Sequence, residues 1–279
     1  MLLSVWLTPR AGPVTVPVAS QPPSATKQRS VPPVASVAAS ATSRDAGVVQ
    51  REDPLTEAMC PNGMLYVAVQ QCARVERDCE DGAAEACRMY SENYRCVGGK
   101  TPLSVCVDRF EYPNLEGVLP AMMLSFTEAA AACSAEGKRL CREAEWTAAC
   151  EGPQHQPFTT GIQLEAKSCG LGRTAKKPDR TVLWDPQRTR DEVARLDFRS
   201  ASGSGHGCPS ASGVADLLGN IQEWVLSSMP GYEAALKGGH FGQATAVCRN
   251  VLNVKHPEIR LPHVGFRCCR DPLVRPAVP

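Results

Sequence analysis

The chain has 279 residues, and 30 Lys+Arg against 29 Asp+Glu leave a net charge of +1. That balance excludes the basic surplus of a nucleic-acid binder and an acidic disordered tail, while the length suffices for one large domain or two small ones with a sizeable core. Hydrophobic residues make up 43% of the chain, yet no apolar run approaches the ~20 residues of a membrane-spanning helix. In chain order, residues 1–7 read Met-Leu-Leu-Ser-Val-Trp-Leu. They lack a basic start and are short for a signal peptide, so either they are the remnant of a signal segment whose true start lies upstream, the preferred reading, or export is not by this route. Residues 8–59 contain no Cys and no aromatic residue and repeat Pro, Ala, Ser and Val. Such a stretch buries too little apolar surface to offset its ordering entropy and is expected to be a disordered tether.

All 14 cysteines lie in residues 60–279, and no two are spaced CxxC. A structural zinc site with its short ligand spacing is therefore not expected. An even number of thiols without metal spacing points to an oxidising compartment, hence export and several disulfides. Residues 60–100 hold five of these cysteines and read as a disulfide-tied N-terminal extension, with a short helix expected over 81–90. The six cysteines from Cys60 to Cys106 permit fifteen connectivities, and spacing does not choose among them.

Residues 101–279 carry the main domain. Ser125-Phe126-Thr127-Glu128 is a capping box, followed by an alanine-rich helix from Ala129 to about Glu136 that Gly137 stops. A second helix runs from about Arg142 to about Cys150, stopped by Gly152-Pro153. Glu143 and Glu145 straddle its start. They sit two apart and share no face, so they are expected to serve the helix N-terminus rather than act as an acid/base pair. The remainder is rich in Gly, Pro and Ser with few periodic strands, which predicts an α+β domain, low in regular secondary structure and fixed by cross-links.

Three blocks line up in order: Gly137-Lys-Arg-Leu-Cys-Arg-Glu-Ala-Glu-Trp146, Gly213-Val-Ala-Asp216-Leu-Leu-Gly219-Asn-Ile221-Gln-Glu223-Trp224, and Leu236-Lys-Gly-Gly-His240 ending at Val264-Gly-Phe-Arg-Cys-Cys269. Together they resemble the formylglycine-generating enzyme family, the sulfatase-modifying factors, and in particular cysteine-rich exported bacterial members. The resemblance implies that family's compact α+β fold, which is related to C-type lectins.

It also implies a chemistry that these residues do not reproduce. Aerobic enzymes of the family bind copper(I) through two cysteines beyond an Arg-Gly-Gly-Ser block. Here His240 stands at the Ser position, Gln243 at the first cysteine position, and only Cys248 follows. Without a gap Cys248 falls on the second copper cysteine; with a shortened loop it falls on the structural cysteine paired with the end of the first block. Two close thiolates suit Cu(I), so in either case copper-dependent formylglycine formation is not expected. His240, Cys248 and His263 are the catalytic candidates. His240, His256 and His263 are three of only five histidines, and three imidazoles could hold a transition metal.

By the same resemblance, Asp216, Gly219, Ile221 and Glu223 are expected to bind a structural calcium ion through two side chains and two backbone carbonyls, a hard-oxygen set. The alternative is that Asp216 caps a turn and Glu223 pairs with an arginine. The resemblance pairs Cys133 with Cys268 and Cys150 with Cys248. The Arg-Leu-Cys and Gly-Phe-Arg-Cys-Cys pieces suggest Cys141 with Cys269, and Cys169 and Cys208, flanking a variable insert, are left as a fourth pair. The expected function is an exported monomer of this family without copper chemistry that binds a protein or small-molecule partner in its cleft. The alternative is a metal-dependent oxidoreductase or modifying enzyme working at another site in that cleft.

Overall fold

The computed structural model describes residues 59–82, 86–173, 176–182, 185–203 and 208–273. The expectations for residues 1–7, and for 8–59 apart from Met59, lie outside the described residues. Eight strands among the described residues form two four-stranded sheets. In the first, β1 (Met64–Glu76), β2 (Arg95–Asp108), β8 (Cys268–Arg270) and β3 (Arg139–Leu140) lie side by side in that order, antiparallel throughout. In the second the order is β6 (Leu252–Val254), β5 (Ala234–Lys237), β4 (Gln222–Leu226), β7 (Val264–Phe266), with β4 and β7 parallel. The Leu226 amide donates to the Cys141 carbonyl at 2.9 Å and joins the end of β4 to the residue after β3.

The two anticipated helices form with the anticipated ends. In α1 (Phe126–Ala135) the Ser125 hydroxyl accepts from the Glu128 amide, and Glu128 Oε2 accepts from the Ser125 amide at 2.8 Å. Two first-turn donors are thereby satisfied reciprocally. Helix α2 (Glu143–Glu151) begins where Glu145 Oε2 accepts from the Arg142 amide at 2.8 Å. Its sequel Gly152 has φ +63°, a conformation glycine reaches without Cβ strain. A third helix, α3 (Pro186–Leu196), lies in the variable insert; Asp185 caps it by accepting from the Gln187 and Arg188 amides.

The described residues of 81–90, which leave out 83–85, do not include the expected α-helix. Cys79 and Tyr90 form an isolated bridge, Asp81 Oδ1 accepts from the Arg88 and Met89 amides at 3.0 Å, and Cys79 pairs with Cys87. The aspartate and the bridge satisfy backbone donors that a helical turn would otherwise need. The extension is tied into the main domain. Strand β2 runs straight through the 100/101 boundary, and the Cys60–Cys106 bridge ties the start of the extension to it.

All 14 cysteines are paired. The structure brings together Cys133 with Cys268, Cys141 with Cys269, Cys150 with Cys248 and Cys169 with Cys208. The extension adds Cys60–Cys106, Cys72–Cys96 and Cys79–Cys87. One apolar core gathers Trp146, Phe158, Val214, Leu217 and Leu218. The other gathers Phe126, Trp224, Leu236 and Phe266, with the Trp224 ring edge-on to Phe126 at 6.0 Å.

Candidate functional site

The second and third sequence blocks are joined through backbone. Gly219 has φ +84°, and a Cβ there would collide with the Cys169 carbonyl, so the chain can pass only as glycine. Its amide donates to the Gly238 carbonyl at 2.9 Å, and the Phe241 amide donates to the Asn220 carbonyl at 3.0 Å. One residue past Ile221, the Gln222 amide donates to the His263 carbonyl at 2.9 Å. These three bonds set the loop after β5 beside the entry to β7 and bring His240 onto His263. Their rings stack at 4.2 Å with 28° between planes.

The stacked pair lines a cavity of ≈ 170 Å³ with Phe241, Pro262, Leu196 and Lys176. Burial, and then the neighbouring His263, push His240 down to about 4, and burial also lowers His263. Both rings are therefore neutral at pH 7. His240 Nδ1 accepts from the Gly242 amide at 3.1 Å, which leaves the ring proton on Nε2. His256 is elsewhere. It is 78% exposed, with Nδ1 3.6 Å from Glu258, so the three-imidazole cluster is not assembled.

Gln243, at the first copper-cysteine position, turns its side chain inward. Its Oε1 accepts from the His240 amide at 3.1 Å and braces the loop. Cys248 is fully buried and bonded to Cys150. This is the shortened-loop alternative. Glu143 and Glu145 also have structural partners: Glu143 Oε2 accepts from the Ser228 hydroxyl at 2.6 Å, and Glu145 takes Arg139 through two bonds of 2.7 Å.

The second block also enters a buried charge network that single-residue reasoning did not assemble. Glu223 is fully buried, and its Oε1 accepts from Arg267 Nε (3.0 Å) and Nη2 (2.7 Å). Its Oε2 accepts from Arg267 Nε and Trp146 Nε1, each at 2.8 Å. Arg267 donates further to the carbonyls of Asp108 and Ala215. Asp216 Oδ2 accepts from the Gly203 amide at 2.8 Å. Glu111 Oε2 accepts from Asn220 Nδ2 and the Ser202 hydroxyl at 2.8 and 3.0 Å. Burial foremost, then Asp216 and Glu223, hold the Glu111 carboxyl well above its usual range. On the other side of Trp146, the buried Lys237 amine stands 5.2 Å from the ring centre, pushed down to about 8 by burial.

Both oxygens of Glu223 are engaged by three N–H donors, Arg267 Nε (shared between them), Arg267 Nη2 and Trp146 Nε1, of the about four acceptor sites a carboxylate offers. As arranged, the set Asp216, Gly219, Ile221 and Glu223 does not fit a calcium ion: the Arg267 guanidinium supplies the cation beside Glu223, and Asp216 braces a turn. The melting temperature is accordingly expected to be the same in millimolar calcium and in chelator. A saturable calcium-dependent rise, the signature of native-state binding, would show that Glu223 releases Arg267.

Of these residues, Arg267 and Lys237 stood inside the third block and carried a sequence signal. Glu111 and Ser202 stood in none. Residues 103–272 match the sulfatase-modifying factor enzyme 1-like domain family. A bovine (Bos taurus) protein named inactive C-alpha-formylglycine-generating enzyme 2 is 28% identical over 163 residues, 53% of this chain and 49% of that protein. The mouse (Mus musculus) formylglycine-generating enzyme is 23% identical over 175 residues, 55% and 45% of the two chains. This chain thus spans about half the length of the relatives it matches. Among solved structures, Treponema denticola variable protein 1 superposes with a TM-score of 0.48 at 12% identity, covering 75% of this chain and 95% of that one. With the domain match extending over more than half of its length, the chain belongs to the sulfatase-modifying factor enzyme 1-like family.

Proposed function

We propose that this protein is an exported, non-oxidase member of its family, a binding or accessory module whose ligand seat is the His240–His263 cleft. The observation that carries this reading is the fate of the two residues that could stand for copper thiolates. Gln243 is an amide engaged with the His240 backbone, and Cys248, the one cysteine after it in this loop, is the structural partner of Cys150 with no thiol left to bind copper. An amide oxygen is a hard donor and does not replace a soft thiolate on Cu(I). The bovine relative's name, an inactive enzyme, is consistent with a family branch that has given up the oxidation. Seven bridges support export, because thiols persist reduced in the cytosol. Among the described residues no helix is long and apolar enough to cross a membrane.

The alternative, a metal-dependent enzyme in the same cleft, has two imidazoles in its favour. Rings stacked face to face direct their lone pairs side by side rather than at a common point, and a further ligand would have to come from elsewhere.

The test is turnover. Incubated with Cu(I), oxygen and a cysteine-containing sulfatase peptide, the protein is expected to leave the thiol unchanged by mass spectrometry. Gln243→Cys alone is expected not to install the activity, since the second sulfur stays tied to Cys150. Oxygen-dependent conversion by the unmodified protein would overturn the reading.

A further inference from the structure

The cleft's lining says more than that something binds there. At its wall the His240 ring contacts two others: it is edge-on to Phe241 at 5.4 Å and stacked on His263 at 4.2 Å. Phe198 packs behind Phe241 at 5.7 Å. Pro262 and Leu196 complete an apolar wall, the latter at the end of the insert helix α3. Aromatic walls of this kind favour a flat ring in offset or edge-to-face contact. The size is also selective. An apolar cavity of about 150 Å³ accommodates one benzene ring, and this one measures ≈ 170 Å³.

Charge supplies the second criterion. With both imidazoles neutral, Lys176 is the one full charge among the described lining residues. It is exposed, and its Nζ lies 5.6 Å from the Phe198 ring centre. Glu192 of the insert, which feels the Lys176 charge, has its hydrogen bonds with Arg195 and the Asp179 amide. An ammonium at the edge of an aromatic, otherwise uncharged cavity complements an anion attached to the ring. The His240 Nε2 proton, which its Nδ1 bond fixes in place, adds a neutral donor at the same wall.

We propose that the cleft binds a single aromatic ring carrying a carboxylate, with the ring against His240, Phe241 and His263 and the carboxylate toward Lys176. This deepens the binding-module reading and rests on it, but its test is independent of turnover. The ring could belong to a free aryl acid or to the C-terminal phenylalanine of a peptide, and the chemistry is shared.

The probes are phenylacetate, its neutral isostere phenylacetamide, and the peptide Gly-Gly-Phe with a free or an amidated terminus. Each is titrated against the full chain while the imidazole proton resonances are followed. Phenylacetate is expected to shift the His240 and His263 signals saturably, with a Kd on the order of 1 mM or below, and to leave exposed His256 unmoved. Phenylacetamide is expected to bind about two- to fivefold more weakly, the range of a solvent-exposed ion pair. Lys176→Met should abolish that difference and leave phenylacetamide binding unchanged; the position is exposed, so the fold is not at stake. Free-acid Gly-Gly-Phe binding as well as phenylacetate, with the amide weaker, assigns the ring to a peptide terminus; its exclusion assigns it to a free acid. No shift of either histidine, equal affinity for acid and amide, or a difference that survives Lys176→Met overturns the proposal. None of these outcomes bears on copper turnover, so the two readings fail separately.

Discussion

Arg267→Met is expected to lower the stability of the folded domain by about 3–5 kcal/mol, the cost of breaking a buried ion pair from one side. Arg267 is fully buried, holds both oxygens of Glu223, and satisfies the carbonyls of Asp108 and Ala215. Methionine fills similar volume but leaves Glu223 in the core with Trp146 Nε1 as its remaining donor. Asp216 already stands close enough to Glu111 to help hold that carboxyl above its usual range. Urea unfolding followed by tryptophan fluorescence would measure the loss.

Two companion results distinguish charge from packing. The double variant Arg267→Met/Glu223→Gln should recover much of the deficit, because removing both charges leaves no buried ion uncompensated. The deficit of the single variant should also narrow as pH falls. A buried carboxylate stripped of its cation has a folded-state pKa above its unfolded value, so its folded state binds the proton first and gains stability on acidification. A loss below about 1 kcal/mol, the scale of a surface pair, would mean that Arg267 is not the central cation of the network.

The features that could be read in the sequence were local ones. The Ser125/Glu128 capping box is encoded within four residues and closes by two bonds within its own turn. Glycines 137 and 152 end their helices at positive φ for the same local reason. The long β1–β2 hairpin gave no such signal. The first half of β2, Arg95 to about Pro102, is mostly exposed and carries two adjacent glycines, while Val105, Cys106 and Val107 are all buried in succession. Neither half alternates, because β2 is covered differently along its length, and that covering is tertiary.

The site divides along the same line. A glutamate partner for Arg267 was one of two open readings of Glu223, and nothing within either block named the other. Glu111 joins through residues 91 and 109 positions away, and no pattern around Phe110-Glu111-Tyr112 marks it. The histidine cluster failed for the converse reason. His256 is only seven residues from His263 in the chain, but it lies on the exposed stretch after β6, and nearness in sequence did not become nearness in space.

Removing both bridges at β8 is expected to abolish folding at physiological temperature. Cys268 and Cys269 are adjacent on the strand that lies between β2 and β3, and they bond Cys133 of α1 and Cys141 just after β3. Those loops span 135 and 128 residues, and the Cys150–Cys248 loop spans 98. If a bridge acts chiefly by limiting the unfolded chain, loops of this size contribute about 4 kcal/mol or more each. Two of them rival the roughly 5–15 kcal/mol that holds a whole domain. The same strand follows directly on Arg267, so its release would also loosen the buried ion pair. The control is Cys79–Cys87, whose loop spans 8 residues. The logarithmic dependence on loop length makes its removal roughly 2 kcal/mol milder than loss of Cys133–Cys268. Paired Cys→Ala variants and thermal melts would rank them. The parent protein, made in an oxidising compartment and then denatured, should show no reactive thiol and a mass lower by two hydrogen atoms per bridge. Two reactive thiols that include Cys248 would dissolve the Cys150 bridge, free a soft donor beside Gln243, and return copper chemistry to this cleft.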